Sequence, residues 1–362
     1  MYAVRKYTKQ KREKGMRKMG AGGVKRTLLI ALCCVLMVVV AGVLLFTILA
    51  NDLLGQVQRP TEAPTLSSSE IDDILYGDVP TGTGPTISQE DIDFGTVPTT
   101  EMEEVNELVN ILLIGKDTGR DNNRKNSDVM ILCTINKAAK TLTMTSFMRD
   151  IYVQIPGYDG NKLNACYPLG GIELLDACLE ENFGVQVDAN IVVDFSGFVK
   201  LIDLAGGVDI QLTQQEASHL NNNRAVSAGK NEKWYLKEGK NTLDGDQALA
   251  YVRIRYLGTD VERTNRQRKV VTALLEKARS MNPEELYALV KEGAAMLTTD
   301  MTDSQIWEDA TEFVPMLTDL KIVSQRIPVD ESYNFSDVGR IGDCIIIDFD
   351  VNRKFLAETL NP

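Results

Sequence analysis

The chain has 362 residues, 25% of them charged and 44% hydrophobic, which is ordinary for a globular protein long enough for one large domain or two small ones. Its net charge of −12 is unevenly spread. Residues 1–26 hold ten Lys or Arg against one Glu, about +9, so the remainder carries about −21. A strongly acidic main body excludes nucleic acid as the partner.

After this basic leader (1–26), residues 27–50 read TLLIALCCVLMVVVAGVLLFTILA, without a charge. As a helix they span about 36 Å at roughly 1.5 Å per residue, enough for a hydrocarbon core of about 30 Å. The run exceeds the short apolar stretch of a cleaved signal peptide, so the sequence predicts an uncleaved single-pass anchor. The basic leader faces the cytoplasm by the positive-inside rule, and the rest lies outside. Residues 51–104 are rich in Pro, Ser, Thr and Gly and lack periodicity. They read as a disordered extracellular stalk that provides reach.

A globular pattern begins at residue 105. VNILLIGKD, VMILCTIN and LTMTSFM are short apolar runs of strand type. IELLDACLEENFG and FSGFVKLIDLAGG have helical spacing and end on glycine, and VDIQL is another strand. After Met281 come two helical stretches, the strands LKIVSQRIPV and CIIIDFD, and a last helix. The expectation is an α/β fold, a layered α/β/α domain around a central mixed β-sheet. Its core is 105–280, with 281–362 as a C-terminal α/β extension on the same domain. Cys133, Cys166, Cys178 and Cys344 lack metal-ligand spacing and sit in apolar contexts, so they read as buried small hydrophobes. A Cys166–Cys178 disulfide is compatible with the sequence but does not follow from spacing.

ALAYVRIRYLGTDVERTNRQR, residues 248–268, packs Arg253, Arg255, Arg263, Arg266 and Arg268 into sixteen positions of an acidic chain. Thr259 and Glu262 form a capping box for a helix whose apolar stripe runs through Val270, Val271, Leu274, Leu275 and Ala278. At about 100° per residue, Asp260, Arg263 and Gln267 fall on that stripe, Arg266 on its flank and Lys269 opposite. If VRIRY is extended, Arg253 and Arg255 share one face. Converging guanidiniums suit bidentate phosphate binding; a network of structural ion pairs is the alternative. Asp117 follows the first strand and Asp128 starts the second, a pair suited to Mg²⁺ alongside substrate phosphates. Arg149, after the third strand, is a further candidate for that rim. Phe195 and Phe198 offer one wall for an apolar ligand, or ordinary core packing. His219, the only histidine, lies in a polar segment that reads as a surface loop without a catalytic role.

The ordered blocks NILLIGKD, NSDVMIL, FMRDIYVQIPG, KLNACYPLGG, VDFSGFVKLIDLAGGVDI, LDGDQALAYVRIR and DVERTNRQR resemble the extracellular domain of LytR-CpsA-Psr proteins. The resemblance implies a phosphotransferase of the Gram-positive cell envelope. Such an enzyme moves a glycopolymer, a teichoic acid or capsule, from a polyprenyl-pyrophosphate carrier to peptidoglycan, generally at a muramic acid 6-hydroxyl, with Mg²⁺ assisting. Carried over by position, Asp117 and Asp128 match the metal-site aspartates. Arg149, Arg253, Arg255, Arg263 and Arg266 match the pyrophosphate-contacting arginines, and Asp260 matches the acidic residue opening the last motif. Where the family usually has an arginine two residues before the second aspartate, this chain has Asn126; Arg124 or Lys125 can reach in from the loop. A non-catalytic polyprenyl-phosphate-binding regulator of the envelope is the alternative function.

Overall fold

The computed structural model describes residues 54–60, 63–77, 84–96, 108–116, 127–222, 234–255, 257–313, 316 and 319–360. The expected membrane helix, together with Asp117, Arg124, Lys125 and Asn126, lies outside them. Among the described residues no helix is long and apolar enough to cross a membrane. Residues 56–362 form one compact unit.

In chain order the unit opens with α1 (Ser68–Tyr76), then β1 (Leu108–Lys116), β2 (Ser127–Asn136) and β3 (Thr141–Phe147). The short strands β4 (Tyr152–Val153) and β5 (Asn161–Lys162) lead to α2 (Cys166–Phe183), β6 (Ala189–Asp194) and α3 (Phe195–Leu204). A subsidiary layer follows: β7 (Val208–Leu212), α4 (Gln214–Asn222), β8 (Gly239–Leu243) and α5 (Gly245–Val252). The long α6 (Asp260–Ser280) is followed by α7 (Pro283–Ala294), β9 (Leu297–Thr299), α8 (Asp303–Phe313) and β10 (Lys321–Ile327). β11 (Tyr333–Asp337), β12 (Asp343–Ile347) and α9 (Phe349–Leu360) end it.

Six strands make the central mixed sheet, in the order β10-β3-β2-β1-β6-β9. β2 runs antiparallel to β1 and β3, while β6 is parallel to β1 and β10 to β3. β1, β3, β6 and β10 therefore all end at one edge of the sheet, and β2 starts there. That edge, outside the carboxyl ends of parallel strands, is where open α/β sheets bind ligands.

Alternation sorts each strand between two cores. Leu112 and Ile114 of β1, Met130 and Leu132 of β2 and Phe147 of β3 pack with Leu175 and Leu179 of α2 and Leu356 of α9. On the opposite face Ile131 and Cys133 of β2 and Leu142 and Met144 of β3 meet Val271 and Leu275 of α6. The arrangement is thus the expected α/β/α sandwich. A third cluster joins β7, β8, α4, α5 and Val270 of α6. The β1–β2 register slips at Gly115/Lys116. A Cβ on Gly115 would stand 2.9 Å from that of Val129, so the glycine in NILLIGKD lets the two chains close up beside the site.

Three expectations are corrected. Part of the presumed stalk is folded: α1 is closed by a Ser67–Glu70 capping box, Leu75 and Ile92 are buried, and Gln58 and Thr86 bridge to Thr298 and Asp337. His219 lies in α4, not in a loop. VRIRY does not begin as an extended run, because α5 runs to Val252 and Arg253 caps it with φ −96° and ψ 0°.

Candidate active site at the strand ends

Six charged side chains meet at the sheet edge. Asp128 is the second residue of β2, and Arg149 follows β3 after Met148, whose N–H donates to the Ile327 carbonyl at 3.0 Å. Arg149 Nη1 donates to Asp128 Oδ1 at 2.5 Å, and its Nε to Asp150 Oδ2 at 3.2 Å. Asp150 also lies 4.0 Å from Lys162 Nζ and neighbours the carboxyl of Asp260, the first residue of α6. One turn on, Arg263 Nη2 donates to Asp260 Oδ2 at 3.1 Å. The Thr259–Glu262 capping box that the sequence announces fixes where this helix starts. Asp260 and Arg263 are thereby aimed at the strand ends.

The charges act on one another across this cluster. Burial works against the charge of Arg149, but Asp150, Asp128 and Asp260 outweigh it and raise its pKa. Arg263, whose side chain is 7% exposed, is pushed the other way by burial and by Arg149. Burial, and then the neighbouring Asp150 carboxylate, raise Asp260 above the ordinary carboxylate range against the pull of Arg263 and Arg149. The site thus holds one arginine whose charge its neighbours reinforce, a second whose charge burial opposes, and one carboxyl that holds its proton more tightly than usual. Such groups, displaced from their ordinary values at the mouth of a fold, mark functional sites.

Arg253 and Arg255 are both exposed. The Arg253 guanidinium stacks 4.7 Å above the ring of Phe195, the residue that follows β6, which fixes it at the same edge of the sheet. Phe198 belongs to the subsidiary core. Gln267 is buried, and Lys269 is exposed on the far side of α6, as the helical projection requires. Arg266 makes other bonds. Its Nε donates to Glu216 at 3.0 Å, its Nη1 to the Ile254 carbonyl at 3.0 Å, and its Nη2 to the Leu257 carbonyl. This is the structural ion pair, and it brackets the loop carrying Arg255.

Sequence reasoning missed Asp150, Lys162 and Glu216. Asp150 was legible as the partner beside Arg149 in FMRD, and Lys162 opens the KLNACYPLGG block. Glu216 carries no local signal, since its pairing spans fifty positions. As to a metal, no group of three or more His, Cys, Asp or Glu suited to one is found among the described residues. Asp128, Asp150 and Asp260 nonetheless offer only oxygen, the donor type of a hard cation. Of the two expected ligands of Mg²⁺, Asp128 stands at this edge with such an oxygen donor, and Asp117 lies outside the described residues.

The sequence model of the LytR_cpsA_psr family matches residues 83–341. The regulatory protein MsrR of Staphylococcus aureus is 30% identical over 261 residues, covering 70% of this chain and 74% of MsrR. The polyisoprenyl-teichoic acid–peptidoglycan teichoic acid transferase TagU of Oceanobacillus iheyensis is 37% identical over 194 residues, covering 50% of this chain and 56% of TagU. The structure of TagT bound to LIIa-WTA aligns with a TM-score of 0.58 at 25% identity, covering 71% of this chain and 92% of that one. TagT (YwtF) with bound octaprenyl pyrophosphate lipid aligns at 0.54 and 25%, covering 71% and 91%. A match over most of the folded unit, joined to the shared architecture, makes the chain a member of the LytR_cpsA_psr family.

Proposed function

We propose that the protein is a membrane-anchored phosphotransferase that moves a glycopolymer from a polyprenyl-pyrophosphate carrier onto peptidoglycan. One observation carries the reading: Arg149 and Arg263, each paired with a carboxylate, converge from separate elements on the carboxyl edge of the sheet. Relatives named as teichoic acid transferases, and a fold shared with TagT carrying octaprenyl pyrophosphate, support the choice of substrate.

The two guanidiniums bind the diphosphate and stabilise the charge that develops on its leaving oxygen. Arg253, steadied on Phe195, and Arg255 extend the cationic rim toward solvent. Asp117 and Asp128 would hold Mg²⁺, which supplies further charge neutralisation at the phosphates. The acceptor sugar hydroxyl attacks the sugar-proximal phosphorus. A new phosphorus–oxygen bond forms, the bond to the bridging oxygen breaks, and polyprenyl phosphate leaves. Asp260 takes the hydroxyl proton, its raised pKa making it the better base of the cluster. The anchor in residues 27–50 keeps the domain beside the bilayer that holds the carrier.

A regulator that binds the lipid without turnover is the second reading, favoured by the relative named as a regulatory protein and by Asn126 at the family's arginine position. Incubating the full chain in detergent with a lipid-linked glycopolymer, peptidoglycan fragments and Mg²⁺ separates the two. Polyprenyl phosphate release with a new glycan–peptidoglycan bond is expected, and its loss in Asp128→Asn. Tight lipid binding with no release would leave the regulator.

A further inference from the structure

Cys166 and Cys178 are both 0% exposed in the core between the sheet and α2. Their sulfurs approach to 2.7 Å, well inside the roughly 3.5–4.0 Å at which non-bonded heavy atoms rest. The intervening backbone is built for the meeting. α2 breaks at Gly170 and Gly171, and Gly171 adopts φ 69°, a conformation that suits glycine and strains other residues. The reversal there folds the first turn of α2 back on its body, which sets Cys166 against a residue twelve positions later. Burial raises the Cys166 thiol well above its ordinary pKa, and the Cys178 neighbour adds to this. Cys166 is therefore no nucleophile in the folded protein, and the partner within its reach is the Cys178 sulfur.

We propose that Cys166 and Cys178 form a disulfide in the mature protein, a covalent clasp across the Gly170–Gly171 break. The oxidant is a disulfide-bearing exchange partner, such as a thiol–disulfide oxidoreductase of the compartment where the domain folds. One cysteine thiolate attacks the partner's disulfide, and the second cysteine then resolves the mixed disulfide. The Cys166–Cys178 bond forms, the partner's bond breaks, and the two cysteine protons end on the two released thiols. Because both sulfurs are buried, exchange takes place before α2 docks, and the finished bond is shielded from reductants. The supply of oxidant rests on the extracellular placement of the domain under the proposed function; the pairing itself does not.

The clasp bears on the site. Just ahead of Cys166, the Asn164 N–H donates to the Arg149 carbonyl at 3.1 Å, the Leu163 N–H to the Ile151 carbonyl at 2.8 Å, and Lys162 faces Asp150. Tying Cys166 to the body of α2 therefore ties down the segment that carries the backbone of Arg149.

The test uses the full chain purified from membranes without reductant, unfolded and alkylated with iodoacetamide. Both cysteines fall in one tryptic peptide, residues 163–200, and cleavage after Glu173 separates them. The clasp leaves both unalkylated and the two halves joined until reductant is added, while Cys133 and Cys344 are alkylated as internal controls. Unfolding in reductant followed by refolding should lower Tm by several degrees in the wild type, by about the margin expected of a short closed loop, and should not shift the Cys166→Ala/Cys178→Ala variant. Alkylation of both without reduction overturns the proposal, as does a bond from either to Cys133 or Cys344. Alkylation of both in protein whose cysteines link only when it is refolded with oxidised glutathione also overturns it. Transfer activity is measured separately, and a failed clasp leaves that reading standing.

Discussion

Arg266→Met gives the sharpest division between arginines that hold the fold and arginines that meet the substrate. In the native protein its guanidinium, 5% exposed, is spent on Glu216 and on the carbonyls of Ile254 and Leu257. Removing it strands Glu216, whose side chain is 10% exposed. Losing one partner of such a buried pair typically costs about 3–5 kcal/mol. Glu216 keeps bonds from the Thr213 N–H at 3.0 Å and the Thr213 hydroxyl at 3.2 Å, which favours the lower end of that range. About 3 kcal/mol, at roughly 2 °C each for a unit of this size, lowers Tm by about 6 °C. Adding Glu216→Gln replaces the stranded charge with an amide and should restore about 1–2 kcal/mol. The measurement is thermal unfolding of the full chain in detergent, followed by circular dichroism, beside calorimetric titration with a short-chain polyprenyl pyrophosphate. The variant should retain more affinity than Arg263→Ala, since Arg266 reaches the site only by bracketing the loop around Arg255. A Tm within about 1 °C of wild type, with affinity lost as fully as in Arg263→Ala, would refute the structural assignment.

Arg263→Ala should cut transfer by about 10²-fold or more, the usual loss for a preorganised electrostatic donor, while Lys269→Ala on the exposed face of α6 leaves it unchanged; equal effects would contradict the facing of α6. Burial raises Asp176 to about 7, against a hydrogen bond from Asn190 that favours the ionised form and a further push from Asp300. Native protein then binds this proton more tightly than unfolded chain, so the group's cost is absent below about pH 4, grows to at most about 4 kcal/mol by pH 7 and persists above it. Urea unfolding should therefore show the wild type losing more stability than Asp176→Asn between pH 5 and 8, and parallel curves would count against it. In Gly245→Ala the new Cβ would sit 2.2 Å from the Val199 carbonyl oxygen. Packing of α5 on α3 should weaken by about 1–3 kcal/mol, read as a lower urea midpoint.

What the sequence disclosed follows the range of its signals. Strand runs, glycine stops and the Thr259 capping box are local, so β1, β2, β3, α3 and α6 were legible. The projection that put Arg263 and Gln267 on the inward stripe needs only helical geometry, and both are buried. It understated Arg268, also buried, whose Nε donates to Ser324 at 2.7 Å on β10, because a partner fifty-six positions away leaves no trace in the helix pattern. The same limit hid Glu216. VRIRY misled because its alternation imitates a strand, whereas the chain there is leaving α5 and is held by Arg266. The folded part of the stalk escaped notice because α1 contributes only a few apolar residues, too sparse to stand out among Pro and Ser.

Both outer strands of the central sheet, β9 and β10, come from residues 297–327. While synthesis has reached only β6, the nascent chain can assemble β3-β2-β1-β6 with its two flanks unpaired, and open flanks of apolar strands invite pairing with other chains. Completion of the sheet must wait for the last fifth of the polypeptide, so late truncations should aggregate rather than yield a smaller working enzyme. The C-terminal residues thus decide whether both flanks of the sheet are closed.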